Sequence, residues 1–522
     1  MFSVESEKDS NYRYAAASLG DVISAVGELD VVPDVVCVGG WWPRDHHEFL
    51  HGSRSNAGYR GTSDGSVIVE KGKLLRGRAD FFSSSHERSH LLCAFGMSAL
   101  PRGTACYALV WEGTLGAFYE IDSDLRIRLI ADVLDQPGFR YAMLYGLADP
   151  TFLKDSPFPR ESDAGKLMAL ASFSKREKPT QAEQRLLSFL LDGTYRKLGD
   201  YDHLAQAPHL NVGVEDPEFC NFAGIYSDAI FEKFYQFART NLVRGRPLVI
   251  AGGCGLNCDW NAKWIETGFF SEVFVPPVAN DSGSAIGTAI DAQFHYTGNP
   301  KIDWDVYSGL GFSTGTAIDL SRYDVFENDL AKVADLLAGD LILGWVSGRY
   351  EIGPRALGNR SILAAPFRDR TRIRLNEIKQ REQFRPIAPV CLEEDAKKWF
   401  GCDRQSPYML YTYSASTSDL PAVTHVNGTS RLQTVSPHSN ELLYGLLSAF
   451  KARTGYGVLC NTSLNFKGKG FINNLADLDI YAVEHGLDGF VVEGRAYLLK
   501  NSLHYQEYLK ISGPARRVES HT

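Results

Sequence analysis

The chain has 522 residues, 44% hydrophobic and 22% charged, enough for two or three domains, each with its own core. A formal net charge of −9 argues against a general nucleic-acid binder, whose affinity would rest on a basic surface. The polar start MFSVESEKDSNYRY lacks the plan of a signal peptide, and no apolar run approaches the ~20 residues that cross a bilayer. A cytoplasmic protein with no membrane partner is therefore expected.

In chain order, VVCVGG (35–40) predicts a buried strand. SSSHERSHLLCAFGMSAL then begins like a capped helix, with His86 and His90 four residues apart on one face, able to grip one metal ion. His86-Glu87-Arg88-Ser89-His90 also fits the zinc-protease pattern H-E-x-x-H, which needs Glu87 right after the first histidine. Three readings stand: a protease, two packed core histidines, or a metal site outside protease chemistry. The last needs oxygen donors from elsewhere. Asp281 in VANDSGSA and Glu112 in VWEGTLG are the candidates, against a plain helix cap for the first and an exposed turn for the second.

Residues 105–121 read as a hairpin turning at Glu112-Gly113. Residues 242–265 give strand, glycine turn and helix, and residues 271–294 repeat that plan. Gly253 and Gly283 lie in these two turns, where free N–H groups at a helix start favour phosphate, unless glycine serves only to turn the chain. Cys254 and Cys258 are the closest pair among nine cysteines. No second pair follows at zinc-site distance, so reduced, buried thiols are expected.

Residues 296–323, rich in Gly, Ser, Thr and Asp, are the candidate inter-domain connection. A second domain opens with a helix-like stretch, VFENDLAKVADLLAGD, and continues through the strand LILGWVSG into a basic segment, residues 344–392. Between Arg349 and Arg385 it carries ten Lys/Arg against four Asp/Glu. Arg355 and Arg360 flank a tight loop. Lys379, Arg381 and Arg385 straddle the end of a helix that Pro386 is expected to break, letting Arg385 swing back towards Lys379. Arginine grips phosphate in a fixed, two-pronged geometry, so the segment predicts an anion pocket for a small phosphorylated substrate. The alternative is a basic surface that pairs with the acidic remainder. HVNGTSRLQTV puts Arg431 and Gln433 on one face of a strand. Asn461 and Asn465 are placed in a polar loop after the strand GVLC, to bind a sugar or base or to hold a turn. The tail GPARRVESHT is expected to be disordered.

These segments resemble the O-carbamoyltransferases of antibiotic and nodulation-factor biosynthesis, from the first residues to about residue 505. GRYEIGPRALGNRSILAAP, NEIKQREQFRPIAPV, HVNGTSRLQTV and VLCNTSLNFKG occur in that family's order and spacing. Earlier, the likeness is carried by the His86/His90 pair, AGKLMALASF (164–173), LVIAGGCGLN and VPPVANDSGSAIGTA. ESEKDS near the start and the GGW after VPDVVCV look most like the cephalosporin hydroxymethyl branch.

The resemblance implies an α/β protein with an actin-like (Kae1-like) domain over residues 1–320 and a smaller YrdC-like α/β domain over 321–505. It implies that carbamoyl phosphate is cleaved to carbamate, which ATP converts to carbamoyl adenylate with loss of pyrophosphate. The carbamoyl group then passes to a hydroxyl of a small secondary metabolite, near Fe(II) or a similar divalent ion. By motif, Arg355, Lys379 and Arg385 would hold carbamoyl phosphate or the adenylate phosphate, with Arg431, Asn465 and Asn461 completing that site. His86, His90, Asp281 and Glu112 would bind the metal. Lys166 would line the first domain's cleft, and Asn257, with Gly253 and Gly283, would hold nucleotide.

Two departures stand out. Glu112 occupies a position where the family usually has aspartate. The chain also starts downstream of a family hairpin whose histidine is the expected general base, so either the start lies upstream or that base is lacking. His46 and His47 are nearby in sequence. Two other classes remain open, an actin-like sugar kinase or ATPase and a non-catalytic remnant that binds nucleotide or carbamoyl phosphate.

Overall fold

The structure is a computed structural model that describes residues 1–5, 19–29, 33–41, 57–74, 77–327 and 329–512. His46, His47 and the tail from 513 lie outside the described residues. The fold is mixed α/β, in two compact units: residues 26–303, and residues 1–25 with 304–522.

In the first unit, β1 (Val35–Gly39), β2 (Val67–Leu74) and β3 (Gly77–Ser84) form a sheet of order β1-β3-β2. The His86–Met97 helix follows, capped by Ser85, whose Oγ accepts from Arg88 N at 3.1 Å. It is buried along its whole length. A second sheet holds β4 (Cys106–Trp111), β5 (Gly116–Ile121), β6 (Ile127–Asp132), β7 (Leu248–Ala251) and β8 (Val273–Phe274) in the order β6-β5-β4-β7-β8. Strands β4 to β6 form an antiparallel meander, and β4, β7 and β8 run parallel. The buried helix packs on β4 and β7 and against the Ser282–Thr297 helix, which in turn covers β1 and β3. An aromatic core includes Trp111 stacked on Trp260 at 4.5 Å. The carboxyl ends of β4 and β7 and the loop after β8 thus carry Glu112, residues 252–257 and Asp281, at the sheet edge where open α/β sheets bind ligands.

The second unit contains β9 (Tyr323–Glu327), β10 (Leu343–Val346), β11 (Arg360–Ala364), β12 (Ala388–Leu392), β13 (Thr412–Ser414), β14 (Thr429–Arg431), β15 (Gln433–Val435), β16 (Val458–Ser463), β17 (Gly489–Val492) and β18 (Arg495–Leu499). Eight of them form one sheet, β15-β12-β16-β11-β10-β17-β18-β9, while β13 and β14 pair separately. Alternation along each strand feeds two cores: Ile362 and Ala364 of β11 point into one, Leu363 into the other.

Four local expectations need correction here. VFE at 325–327 is the end of strand β9, because it pairs with the distant β18; the helix begins at Leu330, capped by Asp329. Arg431 and Gln433 do not share a strand: the chain crosses at Leu432 from the small sheet to the large one. Asn461 lies inside β16 rather than in the loop after it. The Asp369–Ile378 helix ends well before Pro386, at Lys379 and the left-handed Gln380 (φ 48°).

Candidate metal centre and anion site

His86, His90, Glu112 and Asp281 each offer a ligand atom, and these atoms lie within 4.8 Å of one another. The helix supplies the first two by its four-residue spacing, the β4–β5 turn supplies Glu112, and the start of the Ser282–Thr297 helix supplies Asp281. The His86 and His90 Nε2 atoms are 3.1 Å apart, and each is 3.2 Å from Glu112 Oε2. Asp281 Oδ1 is 3.7 Å from the first and 3.4 Å from the second. Ligands held at 2.0–2.1 Å from one ion sit about 3.0 Å apart at right angles and about 3.4 Å apart at tetrahedral angles. The four atoms therefore fit around a single cation.

The electrostatics agree. Burial works against a charge on His90, yet hydrogen bonds to Asp281 and Glu112 overrule it and push its pKa up to about 9. Burial would raise the Glu112 carboxyl, but His86 and His90 hold it well below the usual carboxylate range. This pocket favours positive charge, and its two imidazoles and two carboxylates suit several divalent transition ions. Neither bland reading of the acidic pair is realised. Glu112 is buried, not in an exposed turn, and Asp281 stands at the helix start without a side-chain capping bond.

Glu87 does not act with the histidines. Its carboxylate accepts from the Tyr119 hydroxyl and from Gly61 N at 2.6 Å, so the protease letter pattern carries no free base. Arg88 forms a two-pronged pair with buried Asp291, at 2.7 and 2.9 Å. Close backbone packing requires glycine at two positions of these turns. Gly252, at φ 93°, brings its backbone so close to Trp111 that a Cβ would lie 2.4 Å from the Trp111 carbonyl oxygen. At Gly283 a Cβ would meet the Val278 carbonyl oxygen at 2.0 Å, whereas Gly253 faces open space. Asn257 caps the Cys258–Glu266 helix, accepting from Asp259 N and Trp260 N, and its buried Nδ2 has no partner among the described residues. Lys166 lies 3.2 Å from Asp163 and over the Tyr145 ring.

In the second unit, Lys379, Arg381, Arg385 and Arg431 come together. Buried Lys379 donates from Nζ to Ser463 O (2.6 Å), Asn465 O (3.0 Å) and Asn465 Oδ1 (2.5 Å). Burial, with Arg381 and Arg385 close by, drives its pKa well below the lysine range. Burial also pushes Arg381 down to about 9, aided by the positive charges of Arg385 and Arg431 and only partly opposed by Glu382. Buried Asn376 shapes this turn: its Oδ1 accepts from Arg381 Nε at 2.7 Å, and its Nδ2 donates to Arg385 O at 3.0 Å. Arg431 Nε is buried with no partner among the described residues. Four cations gathered around one spot cost free energy unless an anion neutralises them. Arg381 is the member that the motif assignments left out. Its signal, two residues from Lys379, was present in the sequence, but the turn that folds it inward was not.

Arg355 is half-buried on the loop before β11. That loop is braced from below: Asn461 Nδ2 donates to Ala356 O (3.2 Å) and to Gln433 Oε1 (2.8 Å), and Gln433 Nε2 donates to Leu357 O (2.7 Å). Asn461 is thus a buried support. Asn465 is in the expected loop and orients Lys379. Arg360, fully buried, spends its guanidinium on Asn473 and on the carbonyls of Leu310, Ser347, Gly348 and Asn359, so it is a strut and not part of the anion site.

Comparison with known proteins bears on both halves. Residues 56–290 match the family described as Carbamoyltransferase N-terminus, and residues 334–499 match Carbamoyltransferase C-terminus. The chain is 47% identical over 500 residues to a 3'-hydroxymethylcephem-O-carbamoyltransferase of Amycolatopsis lactamdurans, covering 94% of each chain. It is 44% identical over 495 residues to a protein of the same name from Streptomyces clavuligerus, again covering 94% of each. Nodulation protein U of Rhizobium tropici is 32% identical over 518 residues, 91% of this chain and 89% of that one.

Proposed function

The chain belongs to the carbamoyltransferase family of enzymes, and from that premise we propose that it is an ATP-dependent O-carbamoyltransferase acting on the hydroxymethyl group of a cephem. The acceptor follows the names of the two relatives above. Carbamoyl phosphate and ATP are the proposed donor and activator, and a cytoplasmic setting would supply both.

The observation that carries the reading is the cluster of Lys379, Arg381, Arg385 and Arg431, four cations with one weakly opposing carboxylate. Carbamate is a poor electrophile, because its negative charge is delocalised. Water first cleaves carbamoyl phosphate to carbamate and inorganic phosphate. A carbamate oxygen then displaces pyrophosphate from the α-phosphorus of ATP, giving carbamoyl adenylate. The acceptor hydroxyl attacks the carbamoyl carbon, AMP leaves, and the hydroxyl proton goes to a base. Lys379, Arg381 and Arg385 would neutralise charge on the phosphates in the first two steps, with Arg431 beside them and Arg355, on the loop before β11, proposed as a further phosphate contact. Asn465 would aim the lysine.

His86, His90, Glu112 and Asp281 fit a divalent ion, with Fe(II) as the proposed species, which when bound would act as a Lewis acid towards the carbamoyl oxygen or the acceptor hydroxyl. Burial of the two histidines would limit water on their side of the ion, while the exposed Asp281 marks the side from which the acceptor hydroxyl would enter. Asn257, with its unpartnered Nδ2, is the proposed contact to nucleotide in this unit. The meander of β4–β6 continued by the parallel strands β7 and β8 supports an actin-like reading of the first unit; a YrdC-like second unit is the matching proposal.

Incubation with carbamoyl phosphate, ATP and a 3-hydroxymethylcephem tests the reading. It predicts the carbamate ester together with AMP and pyrophosphate. ADP formed without carbamoyl phosphate would instead mark a kinase.

A further inference from the structure

We infer that Tyr59, seconded by Thr114, is a positioning residue for the metal centre: its hydroxyl occupies one oxygen of Glu112 so that only the other faces the histidines. This deepens the metal reading above and rests on it.

A glutamate carboxylate has two equivalent oxygens on a flexible stem. Left alone it could present either oxygen, or both, to a cation. Here the two are held apart in role. The Tyr59 hydroxyl donates to Glu112 Oε1 at 2.5 Å, and Thr114 Oγ1 lies 2.9 Å from that oxygen and 2.6 Å from the Tyr59 hydroxyl. With its lone pairs engaged, Oε1 has little left to offer a metal. Oε2 remains, 3.2 Å from both histidine Nε2 atoms. The Tyr59 ring also stacks on the His86 ring, with centroids 4.5 Å apart and planes 19° apart, and Trp41 meets His86 edge-on at 4.8 Å. One residue therefore sets the plane of one ligand and the torsion of another.

The strap that carries Tyr59 is itself fixed to the ligand helix. His86 N donates to Gly58 O (3.1 Å), Glu87 N to Tyr59 O (3.0 Å), and Arg88 Nη1 to Thr62 O (2.7 Å). Glu87 Oε2 closes the strap by accepting from Gly61 N. This gives Glu87, the residue singled out by the protease-like letters, its use: it anchors the strap behind the metal centre. Outer contacts that orient ligands typically change metal affinity 10–100-fold when removed.

Tyr59→Phe removes the hydroxyl and keeps the stacked ring. Co(II), added to the full-length apo protein, serves as probe, read by its visible absorption and by competition with a chelator. Wild type should bind one Co(II), His90→Ala should not, and Tyr59→Phe should bind about 10–100-fold more weakly with an altered absorption envelope. Thr114→Val should show a smaller shift in the same direction. Thermal melting of each apo variant identifies any that fail to fold, and Thr114→Val then carries the test. Unchanged affinity and spectrum in folded Tyr59→Phe would overturn the positioning role while leaving the metal reading intact. A wild type that binds no Co(II), or one that His90→Ala matches, would overturn both.

Discussion

Lys379 Nζ lies 2.5 Å from Asn465 Oδ1, inside a collar of carbonyl oxygens that buries the ammonium beside two guanidinium groups. An ammonium so placed is poised for an anion and costly without one. Replacing Lys379 with Met should therefore abolish adenylate formation, by about 10³-fold or more. The melting temperature should change little, since relief of charge burial offsets the oxygens left unpaired. Parallel melting and AMP-release assays check this.

The same placement sets a pH dependence. The folded pKa of Lys379 lies below its ordinary value of about 10.4. The apo protein therefore carries a penalty below the folded pKa that is relieved as pH rises towards the unfolded one. Anion binding has the opposite sign: it needs the ammonium, so pyrophosphate affinity should fall as pH rises, at values below the usual lysine range. Pyrophosphate titrations followed by melting should show this fall in wild type and a flatter profile in Lys379→Arg.

Glu183 offers a stability test far from any chemistry. Burial would raise its pKa, but Arg176, Thr180 N and His209 hold it at about 2. A depressed carboxyl stabilises above its unfolded pKa and loses that stabilisation as pH falls through the folded one. Glu183→Gln should cost about 1–2 kcal/mol at pH 7, because solvent around Arg176 screens the pair, and the deficit should shrink between roughly pH 5 and pH 2. Denaturant melts at stepped pH measure it.

Arg360 separates a strut from a ligand. Its guanidinium holds four backbone carbonyls and Asn473, so Arg360→Ala should destabilise the protein by about 3 kcal/mol or more and loosen the loop carrying Arg355. Limited proteolysis should cut that loop in the variant first. If folding stays intact and only anion binding is lost, the strut reading is wrong.

Much of both sites could be read directly from the residues. The Ser85 cap and four-residue spacing of His86 and His90, the hairpin turning at Glu112 and the excess of basic side chains near Arg385 are local patterns, and local patterns survive in sequence. What escaped depends on distant partners. Residues 325–327 look helical until β18, far along the chain, pairs with their strand. Asn461 looks like a loop residue until β11 and β12 flank it in the sheet. Tyr59 sits in a featureless stretch, and only the fold brings its hydroxyl to Glu112. The bend at Gln380 is dictated by Asn376 underneath it, so Pro386 was the wrong marker for the helix end.

The cation cluster is tested most directly by exchange of labelled pyrophosphate into ATP, without acceptor and with or without carbamoyl phosphate. Wild type should exchange only when carbamoyl phosphate is present, and Arg385→Ala should lose that exchange by about 10²-fold or more while melting at the wild-type temperature. Undiminished exchange in Arg385→Ala, or exchange in wild type that ignores carbamoyl phosphate, would contradict the account.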